Sequence, residues 1–248
     1  MIKIKNKHEI GLITEAGRRL ASVFALLHDT VQEGVSTAEI DAVVAKLLQE
    51  VGLKGECKGY GGYPAVSCIS VNAVVVHGIP SKSVVLKPGD FVKVDVVGSY
   101  NGYCADMARG FFVPPAIDLV VALDKAAQLA FYAGFALLKP GVRLFTISHA
   151  IEQSIKASGF SVVKEFAGHG IGKKIHEEPE VPNFGLPNTG PVLREGMVLA
   201  IEPMITQSPC DVVVTKDGWT AVTSNGCLAS HFENTVVVTS SGAMILTE

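Results

Sequence analysis

Apolar residues recur at helical spacing from residue 7 to residue 29, and the pattern stops at the turn around Gly34. Ser36 and Glu39 then stand as Ser-x-x-Glu ahead of "IDAVVAKLLQEVG", the arrangement of a capping box. A second helix is therefore predicted there, ending near Gly52. The Gly- and Tyr-rich stretch "KGYGGYP" (58–64) must be loop. Four strand-like runs follow, "AVSCISV", "VVVHG", "FVKVDVVG" and "YCADMARGFFV". Two more helices are predicted over about 118–139 and 146–158, separated by "KPGV". The remainder is again β-rich, through "SVVKEF", "MVLAIEPMI", "DVVVT" and "HFENTVVVTSSG". The order helix, helix, strands thus occurs twice at roughly half-chain spacing, with no residue-level repeat. No low-complexity linker divides the halves (about 1–115 and 116–248), so one α+β domain over residues 1–248 is expected.

Composition narrows the partners. Hydrophobic residues make up 48% of the 248 positions and charged residues 18%, a core-rich balance that argues against disorder. A net charge of −3 without a dense Lys/Arg run weighs against nucleic acid or an anionic membrane as the main partner. The first twenty residues contain no apolar signal core, and the longest apolar run, "LAFYAGFALL" (129–138), is too short to cross a bilayer. The five cysteines are odd in number and form no Cys-x-x-Cys pair, which fits free thiols in a reducing cytosol. A cytoplasmic protein is expected, and the lack of a coiled-coil seam leans toward a monomer.

The chemistry begins with "KVDVVGSYNGYCADM". Asn101-Gly102 is a two-residue hairpin signal between two strand-like runs. With that turn, Asp95 pairs across from Ala108 and Asp106 across from Val97. The two carboxylates then share one sheet face on a diagonal; a turn slipped to residues 100 and 101 would set them directly opposite. Two like charges on a sheet face are unfavourable unless something offsets them. A bound cation would do so, and the plainer alternative is an amphipathic hairpin with both aspartates in water. Glu202 in "MVLAIEPM" and Glu233 in "SHFENTVVVT" are also embedded in apolar runs, where an unpaired charge is costly. Either could pair with a buried cation such as Arg194 or face solvent on an edge strand. Four such carboxylates together make a shared metal site the simpler account.

"AGHGIGKKIHEEPEVPNF" (167–184) fails the tests of a phosphate loop, since Ala167 and Lys174 break the Walker spacing and Lys173 breaks the dinucleotide fingerprint. Its glycines disfavour a helix and suggest a strand end that bends or that another backbone approaches closely. Such a bend can turn His169 and His176 toward one cleft. Asp, Asp, His, Glu and Glu form a hard, oxygen-rich donor set with a single imidazole. That set suits Mn²⁺, Fe²⁺, Co²⁺ or Zn²⁺, does not exclude Mg²⁺, and is too large for one catalytic zinc; it fits two divalent metal ions sharing carboxylates.

"HGIP" (77–80), "VDVVGSYNGYCAD" (94–106), "GHGIGKKIHEEP" (168–179), "IEPM" (201–204) and "FENTVVV" (232–238) together resemble the type I methionine aminopeptidases, in order and spacing and over essentially the whole chain. The resemblance implies the pita-bread fold, an α+β arrangement of two pseudo-twofold halves around a curved antiparallel sheet. It implies Asp95, Asp106, His169, Glu202 and Glu233 as ligands of two divalent metals, with His77 and His176 as the other active-site histidines. It implies a methionine pocket of Cys57, Tyr60, Tyr63, Cys68 and Trp219, and N-terminal methionyl peptides or nascent chains as substrates, with a small second residue and a transient approach to the ribosome. In the expected hydrolysis Glu202 takes the proton of the attacking water, His176 binds the scissile carbonyl and His77 serves the substrate amide or leaving nitrogen. Xaa-Pro peptidases share this fold and ligand set but usually carry an extra N-terminal domain, and a catalytically dead, peptide-binding relative would have lost ligands. Four positions depart from the usual family pattern: Ile175 for Phe, Asn234 for His, His231 for Gln and Gly61 for His.

Overall fold

The computed structural model describes residues 1–248. Helix α1 (Lys7–Leu27) starts at Asn6, whose side chain and that of Glu9 cap each other's backbone N–H groups. Helix α2 (Thr37–Glu50) carries the expected reciprocal Ser36–Glu39 box. The strands β1 (Lys54–Gly55), β2 (Cys68–Val71) and β3 (Val74–Val76) precede a long hairpin of β4 (Phe91–Tyr100) and β5 (Tyr103–Phe112). The second half opens with α3 (Asp118–Phe135) and α4 (Leu144–Ala157), the first ending four residues earlier than expected and the second starting two earlier. Then come β6 (Ser161–Val162), β7 (Ala167–Gly170), β8 (Glu177–Pro182), β9 (Val198–Ile201) and β10 (Met204–Thr206). The chain closes with β11 (Val212–Val214), β12 (Ala221–Thr223), β13 (Ala229–His231), β14 (Glu233–Val238) and β15 (Ala243–Ile245).

An antiparallel sheet runs β1-β4-β5-β14-β9-β7-β8, with β2 added on β4 and β15 on β14. Strands of both halves meet where β5 pairs with β14. Two smaller sheets, β13-β10-β6 and β11-β12-β3, adjoin it. One apolar core packs α1 and α2 against the β4–β5 hairpin, through residues such as Leu20, Val44, Val94 and Val96. A second packs α3 and α4 against β9 and β14, through Phe131, Ile147, Leu199 and Val236. Each helix pair thus covers its own half of the sheet, which matches the duplicated element order.

Two expected strands are each split. "MVLAIEPMI" breaks after Ile201, so β9 belongs to the large sheet and β10 to a small one. "HFENTVVV" breaks at Phe232 in the same way, between β13 and β14. Pro203 has no N–H to continue a ladder, and its carbonyl instead accepts the N–H of Phe232, tying the two breaks together. Glu202 and Glu233 therefore stand at the seam between sheets rather than in mid-strand.

Candidate metal centre and substrate cleft

The β4–β5 hairpin has the Asn101-Gly102 register: Asp95 pairs with Ala108 and Val97 with Asp106. Asn101 and Gly102 both have positive φ, as this tight turn requires. Across from Asp106, the side-chain oxygen of Thr235 accepts its N–H and donates to its carbonyl, so β5 is pinned to β14 at this level. Glu233 pairs with Ala108, one position from the strand neighbours of Asp106. The sheet thereby gathers Asp95, Asp106 and Glu233, and the seam adds Glu202.

The glycine-flanked histidines behave as their neighbours dictate. His169 lies on β7, and a Cβ at Gly168 would come within 2.4 Å of the Ala200 carbonyl while one at Gly170 would come within 2.3 Å of that of Glu178. Close backbone approach on both sides explains why this strand end is built from glycine. His169 donates from Nδ1 to the Gly170 carbonyl, which leaves the Nε2 lone pair facing Asp106 Oδ2 at 3.7 Å and Glu202 Oε1 at 3.6 Å. The loop to β8 brings the His176 ring to 4.2 Å from that of His169. His176 stands at the exposed mouth, its Nδ1 hydrogen-bonded to the Tyr60 hydroxyl at 2.6 Å.

One cavity of about 120 Å³ is lined by Cys57, Tyr60, Tyr63, Cys68, His77, Asp95, Asp106, His169, His176, Glu202, Trp219 and Glu233, together with Val97 and Ile175. All twelve residues singled out in the sequence thus reach one cleft. Tyr63 is fixed by donating to the Ser67 and Gly78 carbonyls, and Trp219 packs edge-on against it at 5.2 Å. His77 has φ of +59°, a costly conformation for a non-glycine residue, and packs edge-on against Phe166 and Trp219. Gly61 holds φ of +53° beneath the Trp219 ring, 3.2 Å from where a Cβ would stand. A larger open cleft of about 670 Å³, between α4 and Cys210–Asp211, contains none of these residues.

The electrostatics of the cleft are unbalanced. Burial, with mutual repulsion, pushes the Asp106 and Glu233 carboxyls well above the usual range. Burial raises Glu202 to about 8 and, opposed by His231, raises Asp95 to about 6. Burial likewise lowers His169 to about 3 and His77 to about 4, so both imidazoles are neutral. Asp106 Oδ1 and Glu233 Oε1 are buried with no hydrogen-bond partner. Asp106, His169 and Glu233 each offer a donor atom within 4.8 Å of the others. Neutral imidazole plus orphaned carboxylate oxygens is the donor chemistry of a divalent cation site, and the residues fit one.

Arg194 is exposed and is not the partner of any of these carboxylates. Three contributors lie outside the expected set. Arg109 donates to the Glu233 carbonyl and to Asn234 Oδ1, and lies over the Phe232 ring at 4.4 Å. Only the β5–β14 pairing brings it there, although its place on the hairpin carrying Asp106 was a signal. Val97 lines the cavity because it stands two residues from Asp95 on the same strand face. Asn183 donates to the Glu202 carbonyl at the sheet seam.

A metallopeptidase family M24 model matches residues 11–240. The chain is 44% identical to a methionine aminopeptidase of Clostridium perfringens and 41% identical to methionine aminopeptidase 1 of Bacillus subtilis, covering 100% of this chain and 99% of each relative. It is similar to the crystal structure of methionine aminopeptidase from Thermotoga maritima, with a TM-score of 0.97, 40% identity and full coverage of both chains. The prolidase from Pyrococcus furiosus is more distant, with a TM-score of 0.78 and 25% identity; the match spans 99% of this chain but 65% of that one. The pita-bread fold is thereby established, and the chain belongs to metallopeptidase family M24.

Proposed function

We propose that this chain is a metal-dependent aminopeptidase that removes the N-terminal methionine of polypeptides, preferring a small second residue. The observation that carries the reading is a carboxylate–imidazole cluster opening directly onto a small cleft lined by thiols and aromatic rings. Relatives named methionine aminopeptidase match it over its full length.

Asp95, Asp106, His169, Glu202 and Glu233 would hold two divalent cations, of cobalt, manganese, iron or zinc. Bound there, the cations supply Lewis-acid polarisation of the scissile carbonyl and lower the pKa of the hydrolytic water. Glu202, at the seam between the sheets, accepts the proton of that water. His176, steadied through Nδ1 by Tyr60, offers Nε2 to the carbonyl oxygen as negative charge develops on it. His77, neutral and clamped between aromatic rings, receives the substrate amide or assists the leaving nitrogen. Cys57, Tyr60, Tyr63, Cys68 and Trp219 surround the thioether, which gains from burial and from sulfur–aromatic contact. Ile175, buried beside His176, makes this wall aliphatic.

The reading takes residues 1–248 as one catalytic domain, because the β5–β14 pairing joins the halves at the carboxylate cluster. It extends to a monomeric cytoplasmic enzyme that meets nascent chains near the ribosome; no helix is long and apolar enough to cross a membrane.

The test is incubation with Met-Ala-Ser, Met-Pro-type and Xaa-Pro peptides, with and without Mn²⁺ or Co²⁺. Methionine release that a chelator abolishes is expected. Cleavage of Xaa-Pro bonds alone, or no cleavage with any metal, overturns the reading.

A further inference from the structure

His231 is the one buried imidazole in this region to which the proposed reaction gives no task. It ends β13, two residues before Glu233, and is 2% exposed. Its Nε2 lies 3.3 Å from Glu202 Oε2 and 3.9 Å from Glu233 Oε2, yet is hydrogen-bonded to neither, and it is a buried nitrogen without a partner. A ring placed to steady Glu202 through an N–H would be aligned with a carboxylate oxygen, and this one is not.

The arrangement repeats that of His169 from the other side. Glu202 turns Oε1 to His169 Nε2 at 3.6 Å and Oε2 to His231 Nε2 at 3.3 Å. Nitrogen and oxygen donors bind first-row cations at about 2.0–2.2 Å, so two donors on one ion stand no more than about 4.3 Å apart. The 3.3 and 3.9 Å separations of His231 meet that limit, as do the 3.6 and 3.7 Å separations of His169. Two carboxylate oxygens lie within coordination reach of one buried, unpartnered nitrogen, a set of donors that a cation would satisfy.

Resting on the metallopeptidase reading above, we infer that His231 is a second imidazole ligand of the metal pair, on the Glu202–Glu233 side. The centre then has two nitrogen donors instead of one. Added imidazole favours cobalt, iron and zinc over manganese and magnesium.

The experiment uses the full-length chain, stripped of metal and titrated with Co²⁺. Calorimetry and visible absorption count the equivalents, and X-ray absorption at the cobalt edge counts imidazoles. The wild type is expected to bind two cobalt ions with two imidazoles in total. His231→Gln should lose one of them, weaken one equivalent about 10–100-fold, and reduce the preference for Co²⁺ over Mn²⁺ by a similar factor. Two cobalt ions with one imidazole in the wild type overturn this inference while leaving the peptidase reading intact. The one-imidazole result needs no variant and overturns the inference even if His231→Gln does not fold; two imidazoles in the wild type that both persist in His77→Ala and His176→Ala support it. A wild type that binds no cobalt overturns both.

Discussion

The floor and the wall of the cleft are built by different means. The floor consists of Asp95, Asp106, His169 and Glu233 on strands of the large sheet, with Glu202 at its seam. These residues are held by backbone ladders, while the Asp106 and Glu233 carboxyls carry burial and mutual repulsion, each with one oxygen that has no hydrogen-bond partner. The wall consists of Tyr60, Tyr63, His176 and Trp219 on loops and a hairpin, held by ring contacts and a few side-chain hydrogen bonds. The proposed metal ligands thus sit on a hydrogen-bonded sheet at an electrostatic cost, and the proposed substrate contacts on connecting segments without one. Removing floor charge should therefore stabilise the metal-free protein and stop the chemistry, whereas trimming the wall should weaken substrate binding first.

The largest separation comes from the floor. Asp106→Asn and His169→Ala are expected to bring methionine release below detection, with a native circular dichroism spectrum. Metal-free Asp106→Asn should melt higher than the metal-free wild type, because the substitution removes a buried, repelled charge. Retained turnover in either variant would refute the ligand assignment.

Next in size is a pH effect on metal-free protein. Glu202, ordinarily near 4.5, is raised to about 8 in the folded chain, so between those values the folded state binds the extra proton. Its contribution is complete below about pH 4.5 and is lost as pH rises through about 8. Relative to Glu202→Gln, the wild type should lose up to about 5 kcal/mol across that window, measured by urea unfolding in chelator. A constant difference contradicts it.

His176 bridges floor and wall. His176→Ala should lower kcat about 10²–10³-fold with metal content unchanged, the cost of one donor to a developing oxyanion. The smallest effects belong to the wall. Trp219→Ala removes the edge-on contacts to Tyr63 and His77, worth about 0.5–1.5 kcal/mol each beyond burial. It should raise KM for Met-Ala-Ser about tenfold and leave most of kcat. A loss confined to kcat would assign Trp219 to the chemistry instead.

The same contrast governs what is legible in the chain. Asp95, Asp106, Glu202 and Glu233 stand out because a charge inside an apolar run is a local anomaly with a known cost. The Asn101-Gly102 turn specifies the hairpin register locally, since few residues accept its positive φ. Tyr60, Tyr63 and Trp219 carry no such anomaly, and only likeness to a known family singles them out. The breaks after Ile201 and at Phe232 are not legible either, because the apolar, strand-like character continues across both. Only a long-range bond, from Phe232 N–H to the Pro203 carbonyl, ties those breaks together.

By itself, the sequence determined the starts of α1 and α2, the central hairpin and the duplicated order of elements. All of these follow from local caps, turn chemistry and hydrophobic period. Tertiary structure alone decided that β5 pairs with β14, that Arg109 grips the backbone of Glu233, and that His231 faces Glu202 opposite His169. Those contacts join residues more than a hundred positions apart or at sheet seams, where no local preference specifies a partner and packing of the whole sheet does.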